Sequence, residues 1–229
     1  MTITARPRYP LVALLLNVFL PGLGHLYIGR ADRWGICVGI TLGVYFLLGL
    51  AGALSNFWGY LLALAAFVAA YLFLLIDAPV LARQRPFEPK WYNRASIYIV
   101  FALALFSYSN IMLYLRPALL GVNSFRVPTD SMSPTLLAGD YILADTKAYR
   151  SSPPVVGDVV VATVAAGGIA YVRRVAVGSD PARIRLEADN PDLSQRGNKL
   201  IEVAVSNVSA KITYIYFSTD TKRIGAQVK

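Results

Sequence analysis

Cysteine and histidine are almost absent from this sequence, which has one of each in 229 residues. A lone cysteine, Cys37, excludes an intrachain disulfide and a cysteine-ligated metal site. The lone histidine, His25, lies in an apolar run near the N-terminus. Charged residues are also scarce at 15% of the chain, whereas 56% of the residues are hydrophobic and the mean hydropathy is +0.51. This composition is atypical of a soluble domain and indicates a protein that resides in a lipid bilayer.

The net charge of +9 is unevenly distributed between the two halves of the chain. Residues 1–120 contain nine Lys or Arg and three acidic residues, whereas residues 121–229 contain thirteen and ten. The surplus therefore belongs mainly to the apolar half, where membrane topology and anionic lipid explain it. No stripe of aromatic and basic residues accompanies it, so nucleic acid is not expected as a partner.

Four apolar stretches in residues 1–120 have lengths close to the ~20 residues that span ~30 Å of hydrocarbon. We expect a multi-pass transmembrane region with three or four apolar helices. Pro21, Gly22 and Gly24 interrupt the first stretch, which suits a broken helix or a re-entrant hairpin as well as a full span. The stretches are Leu11–Tyr27, Gly35–Ala53, Phe57–Leu81 and Ile97–Leu115.

By the positive-inside rule, clusters of basic residues mark three stretches of this region as cytoplasmic: the N-terminal one and two connections between apolar stretches. The connection Leu54–Phe57 has no charge and is expected outside. This pattern places the C-terminal domain on the extracytoplasmic side, and the basic loop before the fourth stretch fixes that orientation whether or not the first stretch spans. The basic residues are Arg6, Arg8, Arg30, Arg33, Arg83, Arg85, Lys90 and Arg94.

After residue 120 the sequence changes to short runs of β-favouring residues separated by Gly, Pro, Asp and Ser. We expect a mainly-β domain over residues 121–218, followed by a loose C-terminal tail over residues 219–229. The predicted strands are Tyr141–Ala144, Asp158–Val164, Ile169–Val177, Ile184–Glu187 and Val203–Phe217.

The segment Phe125–Ile142 reads FRVPTDSMSPTLLAGDYI. It resembles the nucleophile segment of the signal peptidase I family (peptidase S26), Pro-Ser-x-Ser-Met-x-Pro-Thr-Leu followed by Gly-Asp. The similarity continues through residues 157–160 and 171–175, and more faintly through 189–197. The resemblance implies a helical membrane region followed by a mainly-β signal-peptidase-like domain. The matching residues are Pro128, Ser131, Met132, Pro134, Thr135, Leu136, Gly139 and Asp140.

A serine hydroxyl is a weak nucleophile and needs a constrained turn with hydrogen-bond donors beside it. Pro128 and Pro134 supply such a constraint. The resemblance implies that Ser131 attacks the peptide carbonyl while its own N–H and the Thr129 hydroxyl, in place of the usual serine, donate to the oxyanion. It implies no cofactor, and no metal site is expected. The alternative interpretation is a polar turn leading away from the membrane.

The position of the expected general base departs from the family pattern. The family has a neutral lysine in a Tyr-x-Lys-Arg-Val segment, whereas this chain has Tyr171-Val-Arg173-Arg174-Val175. Arginine stays protonated in proteins and cannot act as that base. Arg173 could hold a peptide carbonyl, or it could pair with Asp189 or Asp192. The remaining lysines of the domain are Lys147, which resembles a structural lysine of the family, and Lys199 and Lys211, which match no motif.

Further candidate residues surround this nucleophile segment. Asp189 and Asn190 match a late motif of the family, and Ser194 is the candidate for the serine that orients the base. With Met132, they are the expected substrate-binding or orienting residues. Val127, Met132, Leu136 and Leu137 could form an apolar rim that faces the lipid, but we expect at least half of these residues to pack in the core.

Two functions follow from the resemblance. The first is a membrane-bound serine endopeptidase that removes leader peptides from exported preproteins at the outer face of the cytoplasmic membrane, with the bilayer and leader peptides as partners. The second is an impaired pseudoprotease that binds leader peptides or a partner protein, and Arg173 favours it. A transporter has little support, because Asp77 is the only acid near a span.

Overall fold

A computed structural model of the chain describes residues 8–84, 87, 89–163, 170–180, 182–190, 192 and 200–229. The chain divides into two compact units. The first, called the helical unit here, comprises residues up to Leu47 together with Leu61–Tyr114. The second, called the β unit, comprises Leu48–Tyr60 and Leu115–Lys229.

The described part of residues 1–120 consists mainly of helices. Three of its helices, α3, α4 and α5, are long and apolar enough to cross a membrane. Large apolar side chains along them are exposed, among them Ile40, Phe67 and Ile99, at 60% or more of their surface. Such a surface is compatible with a lipid environment. The helices are α1 (Pro10–Phe19), α2 (Leu23–Tyr27), α3 (Ala31–Leu50), α4 (Phe57–Gln84) and α5 (Ala95–Leu120).

The first apolar stretch is broken where the Pro-Gly pair interrupts it, which is one of the alternatives that the sequence leaves open. Helix α1 ends at Phe19, and α2 begins after Gly22, whose φ of 101° belongs to the left-handed region that glycine tolerates. The buried Asn17 side chain stabilises the break by accepting hydrogen bonds from the Gly22 and Gly24 amides at 3.0 and 2.9 Å. The stretch is therefore two short helices and not one long one.

The β unit contains an antiparallel sheet whose strand order is β1-β2-β7-β3-β4-β5-β6. Strands β2 to β5 confirm four of the predicted strands, and the predictions for residues 164 and 169 lie outside the described residues. Strand β1 was not predicted. The strands are β1 (Val122–Arg126), β2 (Tyr141–Asp145), β3 (Val159–Thr163), β4 (Ala170–Asp180), β5 (Arg183–Glu187), β6 (Leu200–Ala204) and β7 (Val208–Phe217).

The prediction of one strand over Val203–Phe217 is wrong. A 3₁₀ turn at Val205–Asn207 separates β6 from β7. Strand β6 pairs with β5 at one edge of the sheet, whereas β7 lies between β2 and β3. The turn contains no Gly or Pro, so the run of β-favouring residues in the sequence conceals the change of partner.

The prediction of a loose C-terminal tail is also wrong. Strand β3 pairs with β7 only over residues 208–211. On the same side of β7, the backbone at Thr213–Ile215 therefore has no pairing with β3. The tail covers this edge: the Gly225 and Val228 amides donate to the Ile215 and Thr213 carbonyls at 2.8 and 2.9 Å. Val228 is buried in the core.

The main core of the β unit lies under the nucleophile segment. Val127, Met132 and Leu136 are each no more than 3% exposed and pack against Ile142, Val159 and Ile212. The prediction that at least half of the four rim candidates lie in the core is therefore confirmed, and these three residues anchor the segment to the sheet. Burying side chains of this size stabilises the fold by about 1.5–3 kcal/mol each.

Candidate active site

Ser131 lies on a 3₁₀ turn, Asp130–Met132, which follows β1. The turn is held from below because Met132 is buried and its carbonyl accepts the Leu136 amide at 2.8 Å. The Asp130 carboxylate accepts the Ala138 amide at 2.8 Å. Ser131 itself is 8% exposed. Ser131 is thus fixed in a largely buried position by the contacts of its two neighbours in the chain, Asp130 and Met132.

Asp140 ties the end of this loop to the C-terminal tail. Its carboxylate accepts hydrogen bonds from the Leu137 amide (2.9 Å), the Ser218 hydroxyl (2.7 Å) and the Arg223 guanidinium (2.8 Å). Burial opposes ionisation, but these donors prevail and hold the Asp140 pKa below its ordinary value. Arg223 also donates to the Thr135 carbonyl at 2.8 Å. Sequence reasoning missed this anchor, because it treated residues 219–229 as a tail.

The Ser131 hydroxyl oxygen receives two hydrogen bonds from side chains that the sequence singled out. Arg173 Nη1 donates to Ser131 Oγ over 2.8 Å, and Thr129 Oγ1 lies 3.2 Å from the same atom. Arg173 reaches the serine from β4, where it is paired in register with Val160 of β3. Arg173 lies 42 positions after Ser131 in the chain, yet the fold brings it to the same point as Ser131 and Thr129.

Arg173 is a partly buried cation. Its Nη1 also donates to the Val172 carbonyl at 2.9 Å, and its guanidinium carbon lies 5.8 Å from the centre of the Tyr171 ring. Burial lowers the Arg173 pKa, yet an arginine remains protonated at physiological pH. Within the described part of the chain, no carboxylate lies within 4 Å of this guanidinium, and its Nε has no hydrogen-bond partner. The positive charge is thus directed at Ser131.

The hypothesis that Arg173 pairs with Asp189 is wrong, because the neighbouring Arg174 forms that pair. Arg174 Nε and Nη2 bind the two Asp189 oxygens at 2.8 and 2.6 Å, and Asp189 raises the Arg174 pKa. Arg174 also donates to the Gly157 carbonyl at 2.7 Å. Side chains alternate between the faces of a strand, so consecutive arginines must have different partners. No ion pair links Arg173 to Asp192 among the described residues either.

Asn190 binds directly to the nucleophile turn. Its amide N–H donates to the Ser131 carbonyl at 3.2 Å, and its side-chain Nδ2 donates to the Asp130 carbonyl at 2.8 Å. The expected orienting residues Asp189 and Asn190 thus lie beside the site and contact Arg174 and the turn backbone. Met132 contributes through its buried side chain, which positions the turn. Ser194 lies outside the described residues.

Two of the lysines that the sequence singled out, Lys147 and Lys211, are bonded elsewhere. Lys211 Nζ forms an ion pair with Asp158 at 2.6 Å, and Lys147 Nζ donates to the Leu119 carbonyl at 2.9 Å. Lys199 lies outside the described residues. In the described part of the chain, the basic group at the Ser131 hydroxyl is therefore Arg173. No group of three or more potential metal ligands occurs within those same residues.

Together these observations define a serine-centred site on an antiparallel β domain that follows a set of long apolar helices. The family model for signal peptidase, peptidase S26, matches residues 96–213, and the chain belongs to this family. The match includes Ser131, Arg173 and Asn190, and it supports a signal peptidase-like function and serine peptidase chemistry. A search of curated proteins found no significant match.

Proposed function

We propose that this chain is a membrane-bound, signal peptidase I-like serine endopeptidase that removes leader peptides from exported preproteins. The observation that carries the proposal is the Ser131 hydroxyl, which is held on a fixed turn within 3.2 Å of Thr129 Oγ1 and 2.8 Å of Arg173 Nη1. The long apolar helices and the basic connections support a site at the outer face of the cytoplasmic membrane.

In this mechanism the Ser131 oxygen attacks the carbonyl carbon of the scissile peptide bond. The hydroxyl of Thr129 and the N–H of Ser131 stabilise the negative charge that develops on the carbonyl oxygen. The cation of Arg173 favours the deprotonated serine oxygen electrostatically. Arginine has no lone pair to receive a proton, so the serine proton passes to water or hydroxide. The leaving amine takes a proton from water, and a second water hydrolyses the acyl-enzyme.

This arrangement predicts slow turnover. A positioned general base contributes about 10²–10⁴-fold to the rate of such reactions, and Arg173 cannot supply that contribution. Transition-state stabilisation by oriented donors remains. The rate should rise with pH, because hydroxide replaces the missing base.

A second candidate is a pseudoprotease that binds leader peptides without cleaving them. It is favoured by the direction of the hydrogen bonds at Ser131: both neighbouring groups donate to its oxygen. A charged donor at this place is also suited to bind a peptide carbonyl.

The two candidates differ in the fate of a preprotein. The purified full-length chain is incubated in detergent with a preprotein, beside its Ser131→Ala variant. Cleavage by the wild type that disappears in Ser131→Ala supports the endopeptidase. Binding of the intact preprotein without any cleaved product supports the pseudoprotease.

A further inference from the structure

Arg173 and Arg174 are consecutive in β4 but differ in what their guanidinium groups bind. Arg174 uses Nε and Nη2 as a fork on the two Asp189 oxygens, at 2.8 and 2.6 Å. The same two nitrogens of Arg173 make no hydrogen bond to any described residue, and its Nε is buried. The two N–H groups of Nη2 therefore remain for a ligand. The pKa directions reflect this difference, because Asp189 raises the pKa of Arg174 whereas burial lowers that of Arg173.

No ion pair within the described part of the chain compensates the charge of Arg173. The carboxylate of Asp130, the acid next to Ser131, is bound to the Ala138 amide at 2.8 Å. The stretches of the β unit outside the described residues contain no Asp or Glu in their sequence. Asp180, at the other end of β4, is seven residues away from Arg173, or roughly 23 Å at ~3.3 Å per strand residue. A partly buried cation without a counter-charge is unfavourable, and an anionic ligand would compensate it.

Two hydroxyl groups lie beside this cation. The Ser131 oxygen accepts a hydrogen bond from Arg173 Nη1 at 2.8 Å, so its own O–H can donate to a further acceptor. Thr129 Oγ1 lies 3.2 Å from the same oxygen. A carboxylate is negative and only accepts hydrogen bonds, through two oxygens. It therefore matches a guanidinium and a hydroxyl better than the neutral carbonyl of an uncut peptide bond does, because charge-assisted hydrogen bonds are about twice as strong as neutral ones.

From these observations we infer that the site binds the C-terminal carboxylate of a cleaved leader peptide in preference to an uncut chain. Hydrolysis adds water across the peptide bond, and the carbon that Ser131 attacks becomes this carboxylate, beside Arg173. The other fragment carries the new amine. The identity of the ligand as a leader peptide rests on the proposed function. In a chain that cleaves preproteins, the bound carboxylate slows product release. In a chain that does not, the same site captures leader peptides that another peptidase has cut.

The test compares leader peptides that differ only at the C-terminus. A fluorescent leader peptide with the small-residue ending Ala-Gln-Ala is prepared as the free acid, as the C-terminal amide, and with further residues after the last alanine. Binding to the full-length chain in detergent is measured by fluorescence anisotropy, for the wild type and for Ser131→Ala, in which no peptide is cut. We expect the free acid to bind about tenfold or more tightly than the other two peptides, in both proteins. Equal affinities of the acid and the amide would overturn the inference, whether or not the wild type cleaves a preprotein.

Arg173→Gln removes the charge and keeps a hydrogen-bonding side chain, so it should bring the acid and the amide to equal affinity. Arg185→Gln is the matched control, because it removes the same charge from an arginine of β5 that is paired with Glu202, and it should keep the preference for the acid. A preference that survives in Arg173→Gln, or that is lost equally in Arg185→Gln, would overturn the inference. The comparison of the acid and the amide in the wild type keeps the test decisive if Arg173→Gln fails to fold.

Two further outcomes separate this inference from its alternatives. Displacement of the acid peptide by sodium acetate at the same concentration as by the unlabelled peptide would contradict a leader peptide as the ligand. A preference for the acid in a chain that cleaves no preprotein would support the inference and refute the endopeptidase. Cleavage without that preference would do the reverse, so the inference and the proposed function can fail separately.

Discussion

Arg173 Nη1 donates a hydrogen bond to Ser131 Oγ over 2.8 Å. A neutral lysine amine at this position would accept the serine proton, whereas a guanidinium can only donate. The contact therefore has the geometry of a nucleophile and base but the opposite hydrogen-bond direction. The serine is positioned and electrostatically favoured as an anion, and among the described residues both side chains that contact its oxygen donate to it. This single relationship determines the expected kinetics of the site.

Removal of the Ser131 hydroxyl should abolish preprotein cleavage and leave leader-peptide binding intact, because the peptide backbone contacts do not require that oxygen. Cleavage is followed by gel electrophoresis and binding by fluorescence anisotropy with a labelled leader peptide. Ser133→Ala, two residues along the same loop, is the control and should keep wild-type cleavage. Equal cleavage by Ser131→Ala and the wild type would exclude Ser131 as the nucleophile.

Removal of the Thr129 hydroxyl should slow cleavage, because its Oγ1 lies 3.2 Å from Ser131 Oγ and is the candidate second oxyanion donor. Thr129→Val keeps the shape of the side chain and should lower kcat about a hundredfold, with little change in KM. Thr129→Ser restores the donor and should recover most of the rate. A rate loss in Thr129→Ser as large as in Thr129→Val would indicate a packing role in place of a donor role.

Loss of the Arg223 charge should destabilise the β unit. Asp140 is 2% exposed and would be left without its charged partner, which is typically unfavourable by about 3–5 kcal/mol. We expect Arg223→Gln to lower the free energy of unfolding of the detergent-solubilised chain by about 3 kcal/mol, measured by chemical denaturation. The control is Arg185→Gln, which breaks an exposed pair with Glu202 and should change it by less than about 1 kcal/mol. Equal effects would refute the anchoring role of the tail.

Acid should destabilise the β unit through the same carboxylate. The pKa of Asp140 is lower in the folded chain than in the unfolded chain. The Asp140 carboxylate therefore stabilises the fold fully at a pH above the ordinary aspartate pKa of about 3.9, and this stabilisation is lost as the pH falls through the folded pKa. The midpoint of chemical denaturation should therefore fall as the pH is lowered from 6 to about 3. Asp140→Asn should be less stable at pH 6 and show a smaller decrease on acidification. Glu202→Gln should follow the wild type, and a decrease in Asp140→Asn as steep as in the wild type would contradict the assignment.

The central features of the site could be predicted from the sequence because they lie in local motifs. Ser131 and Thr129 are two residues apart, and Arg173 occupies a recognisable strand segment, so resemblance alone predicted that they lie together. The Pro21-Gly22 break of the first helix was equally local. What these predictions share is that a short window of sequence contains the information.

Features that depend on distant partners could not be predicted. Residues 219–229 appear polar and short of apolar residues, yet the open edge of β7 at Thr213–Ile215 offers backbone hydrogen bonds that no sequence pattern reveals. The ion pair of Arg174 with Asp189 has the same origin. It depends on where the segment that contains Asp189 lies relative to β4, which the sequence around Arg174 does not reveal.

The most direct test of the account is the cleavage rate of Arg173→Lys relative to the wild type, measured across pH with the purified full-length chain and a preprotein. A lysine amine restores a titratable base 42 residues after the nucleophile, and partial burial should bring its pKa toward neutrality. The account predicts a rate increase of about 10²-fold or more in Arg173→Lys, with a plateau at high pH where the wild type continues to rise. The control Arg185→Lys should match the wild type. A rate in Arg173→Lys equal to or below that of the wild type would contradict the claim that Arg173 limits the activity of this site.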